Sequence, residues 1–459
     1  MSPADTANGT VAPGRPVPAG QTLSGVTQEL AGIPLHFPTR LRWWIAFAVA
    51  SGLLALYILS IVVLFAKGTG VWGINIPVGW GLAITNVVWW IGIGHAGTLI
   101  STLLLMTGAV WRTSLNRFAE AMTVFAVICA ALYPILHLGR PHFFFWMLPH
   151  PNQLALGPQY RSPLEWDVFA ISVYFTVSAM FWYVGMIPDL AAVRDRAKSR
   201  AAQLFYGFLA MGWTGSATAW ARWRRTYLLI AGFALPLVIS VHSGVAMLMA
   251  AGPVPGWHTT IFPPYFVLGA VFSGFAVVAM LATALRWAFN LTNLITARHL
   301  TMIAVMLLVT GLMTAYGYAM ELWDAWYSGG AFERQTALDR LAGPWAPAYW
   351  AAVTLNFATI QMFWFSRFRT APLALFLVGL SVTIGMWLER YFLVISSLSR
   401  DYLTSSWGPY WPSVWEWTLF AGSIGLFGVL FLLFVRFLPV ISIFEIREVV
   451  HDLDTEEER

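Results

Sequence analysis

Residues 137–167 read HLGRPHFFFWMLPHPNQLALGPQYRSPLEWD and stand between two long apolar runs. They gather His137, Arg140, His142, His150, Arg161, Glu165 and Asp167 in a chain of 459 residues that is only 10% charged. Soluble domains average roughly 25% charged residues. With 58% hydrophobic residues, the chain could not keep so apolar a surface in water and is read as an all-α integral membrane protein. Ionisable groups are costly where hydrocarbon meets water, so a cluster of acid, base and fixed cation at that boundary marks a functional site.

Working outward, the rule that about twenty apolar residues cross about 30 Å of hydrocarbon gives ten spans. They run at 43–66, 81–110, 117–138, 166–188, 226–251, 263–289, 300–324, 347–366, 371–396 and 413–438. The segment VWGINIPVGW (71–80) is too short and too broken by Gly and Pro to span, and is expected at the interface, held by Trp72 and Trp80. Residues 1–40, rich in Pro, Gly, Ala and Thr at the start, are expected to be a disordered cytoplasmic segment without a signal peptide. Residues 41–445 form the polytopic membrane domain, and 446–459 an acidic cytoplasmic tail. The single cysteine, Cys129, sits inside an apolar run, so neither an internal disulfide nor a thiolate-ligated cluster is available. The net charge of +5 shows no basic stripe for nucleic acid.

The Lys and Arg count fixes the orientation. Seventeen flank the N-terminal side of the spans (Arg40, Arg42, Arg112, Arg117, Arg194, Arg196, Lys198, Arg200, Arg222, Arg224, Arg225, Arg286, Arg298, Arg367, Arg369, Arg436 and Arg447). Seven lie opposite (Lys67, Arg140, Arg161, Arg334, Arg340, Arg390 and Arg400). Both termini are therefore expected in the cytoplasm, which an even number of spans requires. His137, Arg140, Asp167, Glu321, Asp324, Glu389 and Arg390 then fall near the outer face. Counted along the fifth span, His242 is about 24 Å from the inner face; His95 is nearer the middle, so the two histidines are expected at different depths. Glu120 and Asp189 lie near inner span ends, where they fit either a proton entrance or ordinary boundary residues.

These groups suit a lipid-soluble carrier of two electrons and two protons. A quinol hydroxyl must lose its proton before or with its electron, and a histidine accepts it near neutral pH. His137 is assigned that role, with Asp167 accepting or relaying a second proton. Arg140 or Arg390 would hold a carboxylate ionised and steady the developing anion. His137 and Arg140, three apart, are expected on one helix face, and FFFW with Trp166 would offer flat surfaces to the ring. Each signal has a plainer alternative. His95 and His242 fit proton relays or interhelical hydrogen bonds equally, and Glu389–Arg390 and Glu321 fit an ion network locking helices together. The Gly-x-Gly of IGIGHAG (91–97) reads as close helix packing. Two rival functions are a dihaem cytochrome b, disfavoured by the different histidine depths, and a secondary transporter or structural anchor, disfavoured by charge displaced from the midplane.

The segments WWIGIGHAGTLIS, NRFAEAMTVFAV, HLGRPHFFFW, PNQLALGPQYRSPLEWDVFAISVYFTVS, WYVGMIPDLAAVRDRA, PGWHTTIFPPYFVLGA, YGYAMELWDAWYSG and GMWLERYFLVISSL, in order from about residue 40 to about 445, resemble NrfD/polysulfide-reductase-type membrane subunits. Within that family they look most like the quinol-interacting C subunit of bacterial alternative complex III. The resemblance implies two four-helix bundles flanked by two further helices, in the bacterial inner membrane. It implies oxidation of menaquinol or ubiquinol near the periplasmic face, with no cofactor or metal held by the subunit itself. Its implied partners are a periplasmic iron–sulfur subunit, a homologous NrfD-like membrane subunit, c-type haem subunits and a terminal oxidase, with proton translocation as a further possibility of the complex. Carried over by motif, the quinol site comprises His137 of HLGRP, Asp167 of SPLEWD and Arg390 of WLER; Arg140, His142, Trp166 and Glu389 join it as quinol-binding neighbours. His95, His242, Glu321, Glu120 and Asp189 are the proton-path candidates. The chain departs from the family after VHS (241–243): where an acid is usual, VAMLMA replaces it by Leu248 or a neighbour.

Overall fold

Backbone polar groups inside hydrocarbon must be satisfied within their own segment, so apolar runs of this length fold as helices. In a computed structural model of the chain, which describes residues 21–37, 40–148, 163–327, 329–400 and 403–457, they do so. His150 and Arg161 of the opening stretch, and the side chain of Glu165, lie outside the described residues. The helices are α1 (Leu23–His36), α2 (Arg40–Lys67), α3 (Gly81–Met106), α4 (Asn116–Leu136), α5 (Pro163–Arg196), α6 (Arg200–Leu209), α7 (Ala217–Ala250), α8 (Phe262–Ala288), α9 (Ala297–Tyr327), α10 (Ala331–Leu341), α11 (Ala346–Val353), α12 (Ser366–Arg369), α13 (Pro372–Ser399), α14 (Val414–Phe437) and α15 (Ile443–Glu457).

Helices α3, α4, α5 and α7 close one four-helix bundle. A second is built from α8, α9, α13 and the helical stretch that begins with α11. The bundles meet where α3 packs on α8 and α13, and α2 with α14 forms a flanking pair. The fold is the expected all-α membrane architecture. Glycines set its closest crossings: a Cβ on Gly97 would run into the Ala119 carbonyl of α4, and one on Gly274 of α8 would overlap the Ala96 side chain of α3. The Gly-rich run of α3 is thus a packing surface, as read from sequence.

Among the described residues, nine helices are long and apolar enough to cross a membrane, against ten expected spans. The tenth, read as continuous over 347–366, is a composite of α11, a π turn at Thr354–Ala358 and a 3-10 stretch at Thr359–Trp364. With rises of about 1.5 Å per α residue and about 2 Å per 3-10 residue, it still covers roughly 30 Å. The break is made good locally, because the Leu355 carbonyl accepts from the hydroxyls of both Thr359 (2.7 Å) and Ser381 (3.0 Å). The wider turn carries Asn356 into the bundle, where its amide reaches the Tyr318 hydroxyl at 3.4 Å.

Two ends differ from expectation. Residues 23–36, expected within a disordered lead-in, form α1, capped by Thr22 (Gly25 N–H to Oγ1, 3.1 Å) and packed on α5, α14 and α15. The acidic tail is helical as α15, whose Ile443, Ile446 and Val450 are buried on one face. The 71–80 segment stays off the spans as expected, with Trp72 buried and Trp80 half-exposed.

Candidate functional site

Helix α4 ends at Leu136, with the His137 N–H closing the last turn on the Tyr133 carbonyl (3.0 Å). The next residues turn away through Gly139, at φ 74°, and Pro141, so His137 and Arg140 do not share a helix face and Arg140 points to the exterior. His137 instead faces a cleft of about 370 Å³ between α3, α4, α5 and α7. Its walls are apolar: Ile84, Val87 and Ile91 of α3, Ile171 of α5, and Val245, Leu248 and Met249 of α7. Two flat rings, Trp80 and Trp257, complete it. Among the described residues lining it, only His137 and Asp167 ionise. Leu248, the position where an acid was expected from the resemblance, is part of the α7 wall.

The tautomer of His137 follows from its partner. Its Nδ1 lies 3.2 Å from the Tyr133 carbonyl, which can only accept, so Nδ1 carries the proton and Nε2 of the neutral ring is left as a base. Trp80 meets the imidazole edge-on at 6.1 Å between ring centres. The backbone on either side of that tryptophan is tied by Glu416, distant in sequence, whose carboxylate takes the N–H groups of Gly73 (2.7 Å) and Leu82 (3.1 Å) and the hydroxyl of Tyr410. Trp257 is fixed in turn by its indole N–H on the Leu393 carbonyl of α13 (3.0 Å). Neither Glu416 nor Trp257 was picked from sequence. For Glu416 a signal existed, the Ser413-x-x-Glu416 capping box at the start of α14.

Behind Ile91 sits a histidine pair. The Ile91 carbonyl takes Nδ1–H of His95 (2.6 Å), and His95 stacks on Tyr174 at 4.4 Å and touches His242 at 4.5 Å between ring centres. The expectation of different depths was wrong, because helix ends do not share a common height and counting along each helix gives no relative level. The rings are in direct contact, leaving no gap for a flat macrocycle between them. Nε2 of His95 and both nitrogens of His242 are buried without a hydrogen-bond partner among the described residues.

The other expected residues lie elsewhere. Arg390 is paired with Glu389 (2.7 Å) and lies 4.1 Å above the Phe266 ring, with the Tyr318 hydroxyl donating to Glu389 at 2.7 Å; it does not line the cleft. Glu321 is held by Arg340, which also donates to Ser396 (2.9 Å) and Ser397 (2.8 Å), beside a polar pocket of about 430 Å³ with Asp324 and Glu333. At the opposite end of α4, Arg117 bridges Glu120 and Asp189, both at 3.0 Å. His142 is exposed against Phe143, Trp166 is about half exposed, and Phe143, Phe144 and Phe145 also face outward. The flat surfaces at the cleft among the described residues are therefore Trp80 and Trp257, not Phe143, Phe144 and Phe145. Among the described residues, no group of three His, Cys, Asp or Glu side chains comes together to hold a metal ion.

The chain is similar to the C subunit of selenate reductase from Mesobacillus selenatarsenatis, 21% identical over 424 residues that cover 88% of this chain and 95% of that protein. It is similar over 83% of its length and 90% of the other's to the Hdr-like menaquinol oxidoreductase integral membrane subunit of Archaeoglobus fulgidus, at 21% identity. A shorter match, 24% identical over 44% of this chain and 42% of the relative, is to the putative dimethyl sulfoxide reductase membrane subunit of Halobacterium salinarum. Residues 70–400, which hold both bundles and the cleft, match the model described as polysulphide reductase, NrfD, and the chain belongs to that family of membrane proteins.

Proposed function

We propose that this chain is the quinol-oxidising membrane subunit of a respiratory quinol:acceptor oxidoreductase of the alternative complex III kind, in the bacterial inner membrane with both termini cytoplasmic. The observation that carries the reading is an apolar cleft in which, among the described lining residues, only His137 and Asp167 ionise. Its volume of about 370 Å³ falls within the roughly 300–1,000 Å³ of small-molecule sites. The oxidation releases two electrons and two protons. His137 Nε2 takes the proton of one hydroxyl, and Asp167 takes that of the second or relays the first. The α7 wall, Leu248 included, adds only apolar contact, so both protons leave by way of His137 and Asp167. An iron–sulfur cluster in a partner protein, with c-type haems beyond it, would supply the acceptor for the two electrons. The likeness to the C subunit of a selenate reductase over most of both chains favours a second reading, in which the same cleft serves a reductase of another kind. The cleft chemistry is common to both, and the partner decides between them.

The test is His137→Ala in the assembled complex. Quinol:acceptor turnover should fall by at least about 100-fold, the scale of losing a general base, with assembly intact. A variant that assembles and turns over at the wild-type rate removes His137 from the chemistry.

A further inference from the structure

The end of the molecule opposite His137 carries a larger cleft, of about 970 Å³, for which quinol chemistry has no use. The end of α5, the loop before α7, the first turns of α7 and one face of α15 enclose it. Trp213, Trp220 and Trp223 form one aromatic wall, with successive ring centres 5.0 and 5.6 Å apart, and Phe444 of α15 closes it 4.6 Å from Trp223. The Trp223 indole donates to the Val184 carbonyl at 2.8 Å, tying the wall to α5.

The charges in the cleft are unequal in what they leave free. Arg194 is engaged, with Nε on Asp195 (2.8 Å) and Nη1 on the Trp213 carbonyl (3.1 Å). Arg224 of α7 and Arg447 of α15 are exposed, face the cleft from two helices, and join no ion pair among the described residues. Among the described residues lining the cleft, Glu448 is the one acid whose charge is not already taken up. The N-terminus of α7 has no acid in its first turn, so its dipole adds to the positive potential there. Outward along α7 from the cleft, Leu228, Leu229 and Phe233 are exposed and apolar.

We propose that this cleft binds the headgroup of an anionic phospholipid from the bilayer. Arg224 and Arg447 take the phosphate oxygens, the tryptophan wall packs the glycerol region at interface depth, and the acyl chains continue over the exposed face of α7. A soluble phosphate would use the arginines and leave the aromatic wall and the apolar track without a role. A bound lipid would also bridge α7 and α15, holding the C-terminal helix against the first bundle.

The experiment uses the purified full-length chain, in its complex where partners copurify, with native mass spectrometry of lipid retained after delipidation. The probes are tetraoleoyl cardiolipin and dioleoyl phosphatidylcholine. Arg224→Gln and Arg447→Gln should each weaken cardiolipin retention about five-fold, and the pair together about 25-fold, the scale set by one juxtamembrane arginine each. Phosphatidylcholine retention should be low and unchanged. Cardiolipin should also raise the unfolding temperature of the wild-type protein where phosphatidylcholine does not, a readout that needs no variant. Equal cardiolipin retention by wild type and double variant overturns the proposal, as does equal retention of the zwitterionic lipid. Displacement of cardiolipin by inorganic phosphate would assign the cleft to a free anion and overturn the lipid assignment.

Discussion

Replacing Arg117 by Met tests whether the ion cluster at the far end of α4 is a structural tie or a proton inlet. The guanidinium is wholly buried and neutralises two carboxylates, Glu120 and Asp189, each at 3.0 Å. It also donates to the Gly185 carbonyl (2.9 Å) and the Ser442 hydroxyl (3.2 Å). Removing one partner of a buried pair costs about 3–5 kcal/mol, because the other charge is left without compensation. The two acids do not lose equally. Asp189 keeps the backbone N–H groups of Ile443 (2.9 Å) and Phe444 (3.0 Å) at the start of α15, whereas Glu120 keeps the longer contact with the Tyr227 hydroxyl at 3.3 Å. Arg117→Met should therefore destabilise by about 3–5 kcal/mol, and adding Glu120→Gln should recover about half of it, since an amide is far cheaper to bury than an unpaired carboxylate. The assay is thermal unfolding of the purified protein in mild detergent, with limited proteolysis of α15 as a local readout. Arg117→Met that unfolds like the wild type would refute the tie. So would Glu120→Gln that keeps full stability and loses turnover, since that pattern belongs to a proton carrier.

Three further outcomes are expected. Gly274→Val should prevent accumulation of the folded protein in membranes, because even a Cβ there overlaps Ala96 at the seam between the bundles; normal levels on a native gel would contradict the packing. Arg390→Leu should destabilise by about 3–5 kcal/mol by stranding Glu389, and its effect on turnover should add to that of Asp167→Asn within about 0.3–0.5 kcal/mol. Strong coupling between them would return Arg390 to the quinol site. Cysteines placed in the 191–225 loop should react with impermeant reagents only from the cytoplasmic side and those in the 325–345 loop only from outside; the reverse pattern would put the cleft on the wrong face.

Much of the fold was legible because hydropathy over twenty residues is a sum, and a sum survives local error. What it cannot register is a change of helix type. Residues 346–364 are apolar enough to read as one span, and the π turn is betrayed by Asn356 and by the hydroxyls of Thr359 and of Ser381 on α13. Helix α1 was hidden by averaging its fourteen residues with the Pro- and Gly-rich run before it. Helix α15 was hidden by its acids, although Ile443, Ile446 and Val450 already spell a helical face. The histidine pair was missed for a different reason. Sequence gives distance along a helix, and His95 and His242 meet across two helices that run in opposite directions from ends at different heights.

The same limit decides which ionisable residues sequence could assign to chemistry. Most of the buried acids among the described residues have a fixed counterpart distant in sequence: Asp189 on Arg117, Glu445 on Arg112, Glu416 on the N–H groups of Gly73 and Leu82. A carboxylate so held is one half of a tie that stabilises the fold, and that structural role makes it a poor carrier. Asp167 and His137 are the contrast. Among the described residues neither is in an ion pair, His137 has one backbone carbonyl on Nδ1, and both face the apolar cleft. His95 and His242 share that freedom one layer behind Ile91, with three ring nitrogens unpartnered among the described residues. Proton exchange belongs with groups that can change state without unfolding their surroundings. By that criterion the cleft pair comes first, the histidine pair second, and the arginine-bound acids last, an order that motif matching alone, which put Arg390 beside His137 and Asp167, did not give.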